Sequence, residues 1–245
     1  MSSAARGSTS RSRLKADWQT PRARGERARD ESGPGRTVSH DAKKTSLDLQ
    51  SALKELRGDD PRPLFILRDC DGCKNKEGDL LKRTLQDERL LLASGWFHCV
   101  RFSHDVTDPE HPYHIIFKHE RHPHIALASW DLETFVQVHR AGQKDVWKAM
   151  KRIIGKDYKK SPESAMKNLN KVLNEFDAID DRENALKRQL STKRERGKTA
   201  RAKILEKELG ALAEEREELI EDEMKLRDLV FKKIKEREEL LGENA

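Results

Sequence analysis

Two thiols stand closest to chemistry in this chain. Cys70 and Cys73 lie in the run Phe65-Ile66-Leu67-Arg68-Asp69-Cys70-Asp71-Gly72-Cys73-Lys74, two residues apart and just after an apolar segment. A Cys-x-x-Cys spacing suits two jobs, exchanging electrons with a disulfide or holding a metal ion, and the surroundings must decide between them.

For metal, the supporting residues are histidines. Seven of the nine fall between positions 98 and 124, and Cys70, Cys73 and His122 together offer the sulfur and nitrogen donors that Zn or Cu(I) prefers. Against it, there is no second Cys-x-x-Cys, and the histidines follow no zinc-finger spacing. His104, His111, His114 and His119 read mostly as solvated loop residues. Redox exchange is therefore the favoured chemistry and metal binding the alternative. Cys99 sits in a strand-like run with Phe97 and reads as a small core hydrophobe. Trp96, Trp130 and Trp147 read as core or rim packing. Gly72 and Gly78 belong to no phosphate-cradling motif, no Ser/His/Asp arrangement has interpretable spacing, and no cofactor is expected.

These residues need a frame, and composition bounds it. The 245 residues are 38% charged and 35% apolar, too polar for one globule, so part of the chain is expected to be extended. Residues 1–44 hold eleven Lys and Arg against five Asp and Glu, whereas the rest carries 39 of each sign. The net charge of +6 thus belongs to the tail, which argues against a nucleic-acid surface on the folded part. The tail is poor in large apolar residues and is expected to be disordered. Its Arg- and Ser-rich start is like an organelle transit peptide, but Asp17, Glu26, Asp30 and Glu31 argue against that reading. Three unevenly spaced cysteines, no apolar leader segment and no membrane-length apolar run point to a soluble protein of the reducing cytoplasm.

Residues 45–155 are expected to form the globular domain. Ser46 is a candidate cap for a helix carrying Leu47, Leu49, Leu53 and Leu56, and Gly58 to Pro61 end it. Leu64 to Leu67 reads as a buried strand. A helix is expected from about Lys74 to Ala93, stopped by Ser94-Gly95, then a strand from Trp96 to Ser103. His124 to Ser129 and Phe135 to Arg140 read as a hairpin. A helix from Lys144 to Ile154 follows, with Val146, Trp147, Met150, Ile153 and Ile154 on its inner face. The order implies an α/β fold, a mixed sheet flanked by helices.

After a linker at 156–163, residues 164–245 are rich in Ala, Glu, Lys, Leu and Arg and read as long amphipathic helix or coiled coil. One seam is Leu169, Val172, Phe176, Ile179, Leu186 and Leu190, with a gap at Glu183. A second is Leu205, Leu209, Leu212, Leu219, Leu226 and Val230, with gaps at Arg216 and Glu223. Arg194 to Lys198 carries no seam residue, so an antiparallel hairpin turning there is slightly favoured. The other arrangement is a continuous helix of roughly 115 Å that needs a second chain, either a copy of itself or a partner protein.

Helix, strand ending in Cys-x-x-Cys, helix, strand, then Pro123 heading a hairpin and a last helix: over residues 45–155 this order resembles the thioredoxin-like family. The match rests on Cys70, Cys73 and Pro123, since thioredoxins carry a cis proline beside the active disulfide. The resemblance implies thiol-disulfide exchange with a protein substrate. Cys70 would be the nucleophile, its thiolate favoured by the N-terminal end of the following helix, and Cys73 the resolving thiol. His122, Pro123, Asp71 and Gly72 would border the pair and meet substrate. Asp69 replaces the usual Trp, Asp71-Gly72 replaces Gly-Pro, and Leu64 stands where the family has a buried acid. Two carboxylates beside Cys70 oppose thiolate formation, so a less acidic nucleophile is expected. A non-catalytic adaptor assembling through its C-terminal helices is the other functional class.

Overall fold

The structure is a computed structural model and describes residues 6–21, 47–69, 76–119 and 123–232. In chain order its elements are α1 (Ser8–Arg13), β1 (Trp18–Gln19), α2 (Leu49–Arg57), β2 (Leu64–Arg68), α3 (Lys76–Leu85), α4 (Glu88–Ser94), β3 (His98–Phe102), a 3-10 turn at His104–Thr107, α5 (His114–Phe117), β4 (Ile125–Ala128), β5 (Phe135–Val138), α6 (Gln143–Asp157), α7 (Pro162–Glu195) and α8 (Thr199–Arg227). They belong to two units. One is α/β, from Ala16–Lys159 with Phe231–Ala245; the other is helical, from Met1–Lys15 with Lys160–Val230.

In the α/β unit, every residue of β2 is buried, as expected of a strand covered on both faces. It is central in a five-stranded sheet of order β1-β3-β2-β4-β5. β1, β3 and β2 run parallel, and β4 and β5 antiparallel to their neighbours. Alternate side chains of β2 point to opposite faces. Leu64 and Ile66 join Val100, Phe102, Ala126 and Ala128 beneath Leu53 of α2 and Ile116 of α5. Phe65 faces the other way, toward Trp18, Thr84 and Leu85 of α3, Leu90 and Leu91 of α4 and Val146 of α6. Helices thus cover both faces.

Local chemistry explains the boundaries. The Asp48 carboxylate accepts the Ser51 N–H and starts α2, while Ser46, the expected cap, lies outside the described residues. The single helix expected from Lys74 to Ala93 is two helices. Asp87 accepts the Leu90 N–H at 3.1 Å, and an N-cap of this kind begins a new helix rather than continuing the old one. At the start of β2, burial opposes ionisation of Asp60, but hydrogen bonds from His98 and Arg62 outweigh it and hold the carboxyl well below its ordinary range. That carboxylate ties the Pro-flanked entry of β2 to β3 through a 3.0 Å bond with His98 Nδ1.

Two elements fall within the stretch read as a disordered tail. β1 is an edge strand whose Trp18 packs on Phe65 at a ring separation of 5.2 Å, and α1 belongs to the helical unit. On α6, Val146, Met150, Ile153 and Ile154 are buried as expected. Trp147 is half-buried at the edge, with the Arg89 guanidinium 4.9 Å from its ring centre. Among the described residues no helix is long and apolar enough to cross a membrane.

In the helical unit, α7 and α8 form an antiparallel hairpin that turns at Arg196 to Lys198, with Gly197 at φ +67°. Two of the three residues read as gaps in the seams meet: Arg216 donates to Glu183 at 2.5 Å and to Asp180 at 2.9 Å. At the turn, Leu190, Ala202 and Leu205 form a small apolar cluster. The two glycines of the hairpin should respond oppositely to alanine. Gly197→Ala is expected to lose about 1 kcal/mol, because only glycine adopts that backbone without strain. Gly210, inside α8 with open space where a Cβ would stand, should gain about 0.4–1 kcal/mol. Urea denaturation of the two variants measures both signs.

Candidate functional site

β2 delivers the chain to the candidate dithiol, and both neighbours hold its end. The Arg68 N–H donates to the His124 carbonyl of the β4 approach at 2.8 Å, and the Asp69 N–H donates to the Phe102 carbonyl of β3, also at 2.8 Å. Arg68, only 5% exposed, donates from Nε to the Pro123 carbonyl at 3.3 Å. Pro123 is itself buried. The chain thus approaches Cys70 from a strand end clamped on both sides, with Pro123 bonded to the residue two before that cysteine. Cys70, Asp71, Gly72, Cys73 and His122 lie outside the described residues, as does the His122–Pro123 peptide bond. Lys76, the first described residue after this stretch, is already in α3.

Sequence reasoning missed one residue here. Arg101 is the exposed position in β3, whose other four residues are buried, and its Nε lies 2.7 and 2.8 Å from the two oxygens of Asp69. Of the two carboxylates expected to flank Cys70, Asp69 therefore has a cationic partner, and Asp71 lies outside the described residues. The parallel register, which sets Leu67 opposite Arg101, creates the pairing. Nothing in the spacing from 69 to 101 announces it.

Cys99 lies in the core at 2% exposure. Burial pushes its thiol up to about 12, and Sγ contacts the Ser94 carbonyl at 3.5 Å. It is a packing residue with too little thiolate at neutral pH to act as a nucleophile. Leu64 is fully buried, so the strand carries no acid at that position.

The histidines separate into different environments. His98 is bound to Asp60. His111 accepts the Tyr113 N–H at 3.2 Å, and its ring stands edge-on to Phe102. His104 and His119 are exposed, His119 lying 4.2 Å from the His139 ring. Among the described residues no three His, Cys, Asp or Glu side chains gather as a metal site. The alternative trio Cys70, Cys73 and His122 lies outside them. Trp96 and Trp130 are buried and offer no binding platform.

Comparison of the chain with protein-family models, with curated proteins and with solved structures gives no match.

Iodoacetamide labelling at pH 7, read by peptide mass spectrometry, tests two of these assignments. Cys99 should label at least a hundredfold more slowly than a free thiol, which has a pKa of about 8.5, until the protein is unfolded. Arg101→Gln leaves the Asp69 carboxylate unpaired one residue before Cys70, and Cys70 labelling should slow by about two- to threefold. Equal labelling of Cys99, or a faster Cys70 in the variant, contradicts the corresponding assignment.

Proposed function

We propose that the chain is a thiol-disulfide oxidoreductase of the thioredoxin-like type, with Cys70 as nucleophile and Cys73 as resolving thiol. One observation carries the reading: the central buried strand β2 ends two residues before Cys70, and its last residue is hydrogen-bonded to Pro123. A Cys-x-x-Cys that follows the central strand in sequence, with a buried proline bonded to that strand's last residue, is in keeping with what the resemblance implies. That the chain is already helical at Lys76 also supports it, because the resemblance implies a helix that follows the pair and favours a thiolate at its N-terminal end.

In the proposed reaction the Cys70 thiolate attacks one sulfur of a substrate disulfide. A mixed disulfide forms and the other substrate sulfur leaves as a thiolate. Cys73, deprotonated, then attacks Cys70 Sγ, and the second substrate thiolate departs. The substrate disulfide is reduced to two thiols while Cys70 and Cys73 become a disulfide, and the same steps run backward in oxidation. Substrate backbone would lie along His122 and Pro123, with Asp71 and Gly72 between the sulfurs. The Asp69–Arg101 pair limits the negative charge beside the nucleophile to that of Asp71.

The helical hairpin favours a second role for the same chain. Two helices of 34 and 29 residues present long charged faces suited to a partner protein, so the α/β unit would serve as an adaptor if its thiols do not turn over. Reduction of insulin by dithiothreitol, followed by turbidity, separates the two. The parent protein should shorten the lag several-fold, and Cys70→Ser and Cys73→Ser should both return it to the uncatalysed value. A parent protein at the uncatalysed lag would leave the adaptor.

A further inference from the structure

The segment Arg6 to Arg13 carries no apolar side chain, yet it is seated on the helical hairpin, and what holds it is charge. Asp177 and Asp180, three residues apart on one face of α7, receive nearly every donor at the start of α1. Asp177 accepts the Gly7 N–H at 2.8 Å, the Ser10 hydroxyl and the Arg6 guanidinium at 3.1 Å. Asp180 accepts the Thr9 N–H at 2.9 Å, the Thr9 hydroxyl at 2.7 Å and the Ser8 hydroxyl at 3.2 Å. At the other end Arg13 donates to Glu223 of α8 at 2.6 Å and covers the ring of Phe176. Glu223 is 3% exposed and also accepts from Arg227 at 2.8 Å.

The fit is close as well as polar. A Cβ on Gly7 would stand 2.9 Å from an Asp180 oxygen, closer than real Cβ atoms approach, and 3.0 Å from an Asp177 oxygen, a tight contact. The glycine lets the backbone reach both carboxylates. Ser10 is wholly buried, so its hydroxyl has given up water for Asp177 and the Gly7 carbonyl.

We infer that Arg6–Arg13 is a detachable strap, fastened to α7 and α8 by three carboxylates and released when their charge is screened or removed. Apolar burial contributes almost nothing to fastening it, in contrast to the seam between α7 and α8, so the strap leaves without unfolding the hairpin. Its Arg6–Asp177 ion pair is partly open to solvent, with side-chain exposures of 17% and 27%. Salt weakens the more open Arg6 end first, the screening length falling from about 10 Å at 0.1 M to about 3 Å at 1 M, and acts less on the Arg13–Glu223 pair, whose carboxylate is 4% exposed. Release uncovers Asp177, Asp180 and Glu223 together.

Hydrogen exchange of the full chain, read by mass spectrometry on peptides covering residues 6–14 and α7, tests this. At low salt the 6–14 peptide should be protected, and 0.5 M NaCl should speed its exchange about tenfold with α7 unchanged. Asp177→Asn, which breaks no bond between α7 and α8, and Gly7→Ala, which leaves the hairpin untouched, should each produce the same acceleration without salt. Protection insensitive to salt and to both variants would overturn the inference. So would an unprotected 6–14 peptide at low salt, or loss of α7 protection in step with the strap.

Discussion

Everything in the α/β unit depends on the two-sided hydrogen bonding of β2. Five consecutive buried residues leave no backbone group of this strand within reach of water, so β3 on one edge and β4 on the other must satisfy them. That requirement sets the sheet order, because β4 returns antiparallel beside β2 and brings β5 with it. It also brings Pro123 to Arg68. The candidate dithiol follows directly from the end of this strand, and its approach is as rigid as the sheet.

Charge does in the helical unit what hydrogen bonding does in the sheet. The seams of α7 and α8 are interrupted at Glu183, Arg216 and Glu223, and each interruption is a paired site: Arg216 meets Glu183 and Asp180, and Glu223 holds Arg13 and Arg227. A one-turn slip between the helices would part Arg216 from Glu183 and Asp180. The Arg216 intrusion, which weakens the seam, thus favours this register, while Glu223 serves α1 and its own helix.

Much of this was legible before any coordinates. The apolar run Leu64 to Leu67, the two runs of the β4–β5 hairpin and the periodic face of α6 announced themselves, because burial on this scale demands that composition. The hairpin turn was readable from the missing seam residues and Gly197. β1 was not, since Trp18 and Gln19 are only two residues in a polar stretch and become a strand through the edge that β3 offers. The break at Gln86-Asp87 hid within a continuous apolar pattern, although Asp87 as a cap was its signal. Of the candidate site, Pro123 stands beside the end of β2, its carbonyl bonded to Arg68, while Cys70, Cys73 and His122 lie outside the described residues. The Asp69–Arg101 pair and the carboxylates that hold α1 were invisible, because both join residues that only the register or the tertiary fold brings together.

The central proposal is that β2 leads into a redox dithiol. Equilibrating the full chain in glutathione buffers of graded potential, then alkylating and weighing its peptides, tests that most directly. The account predicts an intramolecular Cys70–Cys73 disulfide that forms and breaks around a single midpoint while Cys99 remains a thiol throughout. Absence of that disulfide at every potential, or a disulfide of either cysteine with Cys99, would contradict it.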